Sequence, residues 1–307
     1  MTLHHLRVLV SVAEAGSVRG AADTLVVSQP AVSAALAALR RELGVPLVAR
    51  EGRGLRLTPA GEIFTRYARR VLGLLDEGIA AAAGHLHPER GRVRLAAVTT
   101  VGEHVLPAFV AAFRRRFPEA ELALEVGNRQ RVWQLLTERR VDLAIGGRPP
   151  AGGALTTVAT RPHRLVVVGS ADAVAAAAGN PAGQVWLLRE EGSGTRAATE
   201  ELLGELSLTP GTLTIGSNVA IRETVAAGVG VALLSGDAVA RELAEGTLAV
   251  VPGQAFTRER AWCVVTRAGE ELPGPARLFV DHLCRRGRGR VPRPFHRTGD
   301  ETAAGSP

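Results

Sequence analysis

Apolar positions in the first 43 residues recur with the period of a helix, in three runs divided by turn residues. Leu3, Leu6, Val10 and Ala13 predict a first amphipathic helix, which Gly16 ends. Ser17 is placed to cap a second helix carrying Val18, Ala21, Ala22 and Leu25. After Val26-Val27, Ser28 caps a third, whose second position is Pro30, tolerated in a first turn. Val32, Leu36, Leu39 and Leu43 form its buried stripe, and Gly44 closes it. The period then shortens to that of a hairpin over 47–57, around a Glu-Gly-Arg-Gly turn. Thr58-Pro59 opens a long helix that meets no breaker until about Leu86. Along it Ala68, Leu72, Leu75, Ile79, Ala82 and Leu86 recur at spacings of four and three, a seam that suits dimerisation through a partner helix.

Pro88 marks a linker, and from Arg92 strands alternate with helices. Strands are predicted at 93–98, 122–126, 143–145, 156–158, 165–168, 185–188, 213–215, 231–234 and 262–266. Helices are predicted at 102–117, 129–139, 195–206, 218–227 and 274–285. The whole is an α/β chain: an N-terminal all-α winged helix-turn-helix, a long linker helix, and an α/β module long enough for two Rossmann-like lobes. The tail 287–307, rich in Arg, Gly and Pro, reads as disordered.

Charge adds a hint to this picture. Residues 1–61 hold seven arginines against four acids and the tail from 284 holds six against two, while the body is balanced. A basic end domain suits a polyanion. Every basic residue is arginine, however, so no arginine can be read as chosen over lysine. No apolar run is long enough for a membrane span. The N-terminus reads as an amphipathic helix rather than a leader, which places the protein in the cytoplasm. Cys263 and Cys284 form no metal or redox motif, and His85-x-His87 lacks further ligands.

The second and third helices, crossing through small Ala21 and Ala22, form a helix-turn-helix. The third presents its N-terminal residues to base edges: Gln29 suits adenine, Ser33 several edges, and Ala31 and Ala34 a thymine methyl. Pro30 lies on the same turn, and Ser17 opens the preceding helix. Ser28, Arg50 and Arg53 suit phosphates, which position without specifying sequence. Further along, Gly192-Ser193-Gly194-Thr195 follows a strand and opens a helix, so free N–H groups and two hydroxyls could meet an anion. The same glycines would equally serve a tight turn. Thr99 and Thr100 could cap the next helix or meet a ligand, and capping is the simpler role for Ser217-Asn218. A phosphate loop of the nucleotide-hydrolase kind needs a lysine, and the chain has none. With no nucleophile elbow, dinucleotide fingerprint or metal cluster, no catalytic residue, metal or cofactor is expected.

GSVRGAADTLVVSQPAVS, LGVPLVAR and LTPAG together resemble the LysR-type transcriptional regulators, with Arg40 and Val48 departing from the family's usual Glu and Phe. The stretches LREEGSGTRAATEELL and GSNVAIRETVAAGVGVALLS look like the branch regulating carbon fixation and cysteine biosynthesis. The resemblance implies a DNA-binding domain over 1–58, a linker and dimerisation helix over 59–90, and an effector-binding domain over 91–286. That domain would be of the periplasmic-binding-protein type, with lobe I at about 91–162 and 267–286 and lobe II at about 163–266. A small and anionic effector would lie between the lobes, at Thr99, Thr100, Val101, Asn128, Ser193, Gly194, Thr195 and Asn218. Implied partners are promoter DNA with an interrupted dyad, RNA polymerase, and further copies of the chain in a homodimer or homotetramer. The alternative is a solute-binding receptor without DNA binding, which fits 91–285 but leaves residues 1–60 unexplained.

Overall fold

The computed structural model describes residues 1–52, 54–84, 87–285 and 293–298. The chain divides into two compact units, Met1–Ala83 with Thr137–Arg140, and Gly84–Leu136 with Val141–Pro307.

In the first unit, α1 (Leu3–Ala15) starts at a Thr2 cap and stops at Gly16, whose φ of 64° is the left-handed turn glycine adopts freely. Its buried face is Leu6, Val8, Leu9 and Val12, so only Leu6 of the expected stripe survives. Val8 and Val12 join Ala21, Ala22 and Val32, while Leu9 joins Leu39 and Leu47. A helix covered on two sides outruns a one-face template. Helix α2 (Val18–Leu25) is capped by Ser17, which accepts from Gly20 N at 3.0 Å. Helix α3 (Gln29–Leu43) is capped by Ser28 and buries Val32, Ala35 and Leu39. The axes of α2 and α3 turn by 108°, within the range of a helix-turn-helix. Strands β1 (Val48–Glu51) and β2 (Gly54–Leu57) form the antiparallel wing. Leu55 N donates to the Gly16 carbonyl at 2.8 Å, which pins the wing to the end of α1.

The turn between α2 and α3 holds Val26 at φ 55° with its side chain 90% exposed. A β-branched residue in that region is strained by roughly 1–2 kcal/mol. Val26→Asn is expected to raise stability by about 1 kcal/mol in a urea melt, and an unchanged midpoint would mean the turn relaxes around valine.

Helix α4 (Pro59–Gly84) begins at Thr58, which accepts from Gly61 N at 2.9 Å and donates to the Pro46 carbonyl at 2.7 Å. In the single chain the positions of the expected seam are covered to different degrees. Ala68 is 1% exposed and Leu72 and Leu75 are half-buried, while Gly73 lies against the Arg139 backbone. The large apolar residues of α4 that are exposed among the described residues are Ile63, Tyr67, Val71, Leu74 and Ile79, and of the expected seam Ile79 and Ala82 are exposed. Leu86 lies outside the described residues. No single described helix is long and apolar enough to cross a membrane.

The second unit is built on a ten-stranded sheet. Lobe I holds β3 (Arg92–Val98), α5 (Leu106–Arg116), β4 (Glu121–Gly127), α6 (Arg129–Thr137) and β5 (Leu143–Gly146), with β3 parallel to both β4 and β5. Strand β6 (Leu155–Gly169) then crosses into lobe II. The polar stretch between its two apolar ends reads as loop, yet β6 is one strand, because β11 (Thr257–Arg267) pairs with it from Val166 back to Leu155. The partner's ladder satisfies backbone groups that polar side chains leave unpredicted.

Lobe II continues with α7 (Ala171–Gly179), β7 (Trp186–Leu188), α8 (Gly194–Glu205), β8 (Thr212–Thr214) and α9 (Asn218–Ala226). It closes with β9 (Val231–Ser235), α10 (Ala240–Glu245) and β10 (Ala249–Val250), and β11 returns the chain to lobe I. There α11 (Gly274–Cys284) packs Phe279, Val280 and Leu283 into the lobe I core. Part of the supposedly disordered tail is structured: β12 (His296–Arg297) pairs with Thr160 and Ala159, and Phe295 is buried against Phe109. One aromatic anchor outweighs a polar average that predicted disorder.

Candidate nucleic-acid interface and ligand cleft

The stripe Val32, Ala35 and Leu39 turns one side of α3 inward and therefore turns Gln29, Pro30, Ser33 and Ala34 outward. All four are exposed at the N-terminal end of the helix, Ala31 is half-buried beside them, and Arg50 is exposed on the wing. Arg53 lies outside the described residues. Ser17 and Ser28 each give an oxygen lone pair to a helix cap, which leaves their hydroxyl hydrogens for other work. The wing also exposes Arg56, 3.8 Å from Glu51, which the sequence reading passed over.

The predicted effector residues collect at the C-terminal ends of strands in both lobes. Thr99 and Thr100 follow β3, Asn128 follows β4, and the loop 189–193 joins β7 to α8. Gln130 N donates to the Gly192 carbonyl at 3.3 Å, bringing the two lobes' loops together. Asn218 Nδ2 donates to Thr100 Oγ1 at 3.1 Å, a second bond between lobes. Three roles differ from expectation. Val101 is buried in the lobe I core and supports its loop from beneath. Asn128 caps α6, accepting from Arg131 N at 2.9 Å. Ser217, not Asn218, caps α9 through Ala220 N, leaving Asn218 to face Thr100. Ser193 is buried and makes no cap bond, Thr195 is half-buried, and Gly194 is exposed at the start of α8.

Beside this cluster a cavity of about 560 Å³ opens between α6 and α8. Arg129, Gln130, Trp133, Ser193 and Arg196 line it, with Glu191 and Glu200 at its wall. That volume suits a small metabolite. Only Ser193 of the predicted set lines it. Arg129 opens α6 and Arg196 lies in the first turn of α8, where nothing in spacing marks them off from solvated arginines. Among the described residues no group of three or more metal-ligating side chains forms.

Where β6 and β11 cross between lobes, His163 stacks on Trp262 at 3.6 Å, and Arg161 and Trp262 both donate to Asp237. Burial pushes the His163 imidazole down to about 4, against the pull of the Asp237 carboxylate. A neutral ring is what such a stack holds. The cluster ties both crossing strands to the end of β9.

An exposed recognition helix with a wing, joined in one chain to a two-lobed α/β domain with a polar cleft, defines a ligand-responsive DNA-binding regulator. Residues 3–62 match the bacterial regulatory helix-turn-helix protein, lysR family, and residues 87–288 match the LysR substrate binding domain. The chain belongs to the LysR family of transcriptional regulators. It is 34% identical to the HTH-type transcriptional regulator CbbR of Xanthobacter flavus, over 95% of this chain and 90% of that one. It is 31% identical to a RuBisCO operon transcriptional regulator of Acidithiobacillus ferrooxidans, over 92% and 93%. These relatives place it with carbon-fixation regulators, and they are named as regulators rather than enzymes. The Synechocystis CcmR regulatory domain, solved in complex with 2-PG, is similar with a TM-score of 0.56 and 28% identity, covering 62% of this chain and 94% of that one. The receptor-only alternative finds no support.

Proposed function

We propose that this regulator reads an interrupted dyad in promoter DNA through Gln29, Ala31, Ser33 and Ala34, and adjusts that binding to a phosphocarboxylate held between its lobes. The observation that carries the ligand class is the meeting of Ser193, Arg129 and Arg196 at one interlobe cavity, with Thr100 in the hydrogen-bonded contact between lobes beside it. A hydroxyl and two guanidiniums favour an acceptor-rich anion, each charge-assisted bond contributing roughly 1.5–3 kcal/mol. The CcmR domain bound to 2-PG lends the size and charge of the ligand. The effector acts through its different affinity for two arrangements of the protein. In this reading the protein works in the cytoplasm as an oligomer on DNA, where it meets RNA polymerase.

Calorimetry of the full chain with 2-phosphoglycolate tests the cleft. Micromolar binding is expected, weakened at least about tenfold in Thr100→Val with Ser193→Ala, a loss worth about 1.4 kcal/mol. Tight binding by that double mutant would move the site elsewhere. On the DNA side, Gln29→Ala and Ser33→Ala should each lose roughly 1–3 kcal/mol on the cognate duplex and little on random duplex. Equal losses on both would reduce those side chains to backbone contacts. Binding to both duplexes should weaken with salt as counterions are released.

A further inference from the structure

Four side chains form a hydrogen-bonded chain across the cleft, and its direction is set by the one member that cannot accept. Arg189 is buried at the end of β7, where its Nε and Nη2 donate to the Glu190 carboxylate at 2.7 and 2.9 Å. Its Nη1 donates to Asn218 Oδ1. A guanidinium has donors only, so the Asn218 amide must turn its oxygen to Arg189 and its NH2 to Thr100. That NH2 can only donate, so Thr100 Oγ1 accepts from it at 3.1 Å. Thr100 has no other side-chain partner among the described residues, and its hydroxyl hydrogen is therefore left for a third group. Neighbouring Thr99 is different, because its hydroxyl already donates to the Gly127 carbonyl at 3.3 Å.

We propose that Arg189, acting through Asn218, is a positioning residue that leaves the Thr100 hydroxyl hydrogen to donate at the interlobe cleft, which favours a ligand atom that accepts, such as a carboxylate or phosphate oxygen. The inference rests on the cleft being the effector site. Burial of Arg189, Asn218 and Thr100 keeps water from reversing the chain, and each bond polarises the next.

The experiment uses the full chain and the phosphocarboxylate titrated above. Thr100→Ser keeps the hydroxyl and should stay within about threefold of wild type, while Thr100→Val should lose about tenfold or more. Asn218→Asp is near-isosteric and still satisfies Arg189, but it offers Thr100 only an acceptor, so the Thr100 hydrogen turns away from the ligand. It should match the loss of Thr100→Val. The double variant should lose no more than either single, since both remove one hydrogen bond. Simple repulsion by the new carboxylate would persist beside valine and multiply the losses, and multiplied losses overturn the proposal. So does wild-type affinity in Asn218→Asp. Hydrogen exchange of the Asn218 side-chain amide provides a readout free of ligand. It should be slow in wild type and at least about tenfold faster in Thr100→Val, and equal rates overturn the chain itself. A wild-type protein that shows slow exchange but binds no phosphocarboxylate overturns the cleft reading instead, with the hydrogen-bonded chain upheld.

Discussion

Gly61→Ala is expected to destabilise the DNA-binding unit by about 3 kcal/mol, lowering its melting temperature by on the order of 10 °C. A Cβ at this position would fall 1.8 Å from the Leu47 carbonyl oxygen and 2.8 Å from its carbon. Both are backbone atoms, and neither is free to retreat. The Leu47 carbonyl accepts from Thr58 N at 3.0 Å, and Thr58 Oγ1 bridges Gly61 N to the Pro46 carbonyl. Moving α4 away would break the cap on its first turn and open the cluster of Leu9, Leu39 and Leu47, with Phe64 packed on it. The last glycine of the LTPAG motif is thus explained by contact between helix and wing, with no appeal to DNA. The paired control is Gly204→Ala in the last turn of α8, where nothing lies within 4 Å of the new methyl. There alanine should stabilise by about 0.5–1 kcal/mol through backbone entropy alone. Two-unit melting followed by circular dichroism separates the outcomes, and a Gly61→Ala protein that melts like wild type would refute the close contact.

What could be read from the chain was what local chemistry decides. Ser17, Ser28 and Thr58 announce their helices because a hydroxyl before an apolar-periodic run has few other uses, and all three do cap. The outward edge of α3 followed from its inward stripe. Positions decided by distant partners were illegible. Strand β6 is continuous only because β11 runs beside it, and Phe295 is a core residue only because lobe I has room next to Phe109. Thr99 and Thr100 are identical in composition and adjacent, yet a carbonyl 28 residues on occupies one and an amide 118 residues on occupies the other. Arg189 and Arg196 stand in a chain where all basic residues are arginine, so nothing separates a buried positioning guanidinium from a solvated one until the fold is known.

Which face of α4 meets a second copy depends in the same way on distant contacts, and it carries the other large expected effect. Val71→Glu with Leu74→Glu should split the protein into single chains and weaken binding to a two-half-site duplex by more than about 100-fold. Val71 is 48% and Leu74 56% exposed, on the side of the helix that also bears Ile63 and Tyr67. Spacings of four, four and three align these side chains in one stripe, which a second α4 would cover. Burying each aliphatic side chain contributes roughly 1.5–3 kcal/mol, whereas a glutamate there must be desolvated opposite its own copy. Single chains still hold one recognition helix each, so binding to an isolated half-site should survive while the gain from tethering two is lost. The contrasting variant is Leu72→Glu with Leu75→Glu, at half-buried positions of the same unit. It should lower the melting temperature of that unit, a fault of folding rather than of assembly. Light scattering decides between the faces. A Val71→Glu, Leu74→Glu protein that keeps the mass of the wild-type assembly at micromolar concentration would show that this stripe is not where copies meet.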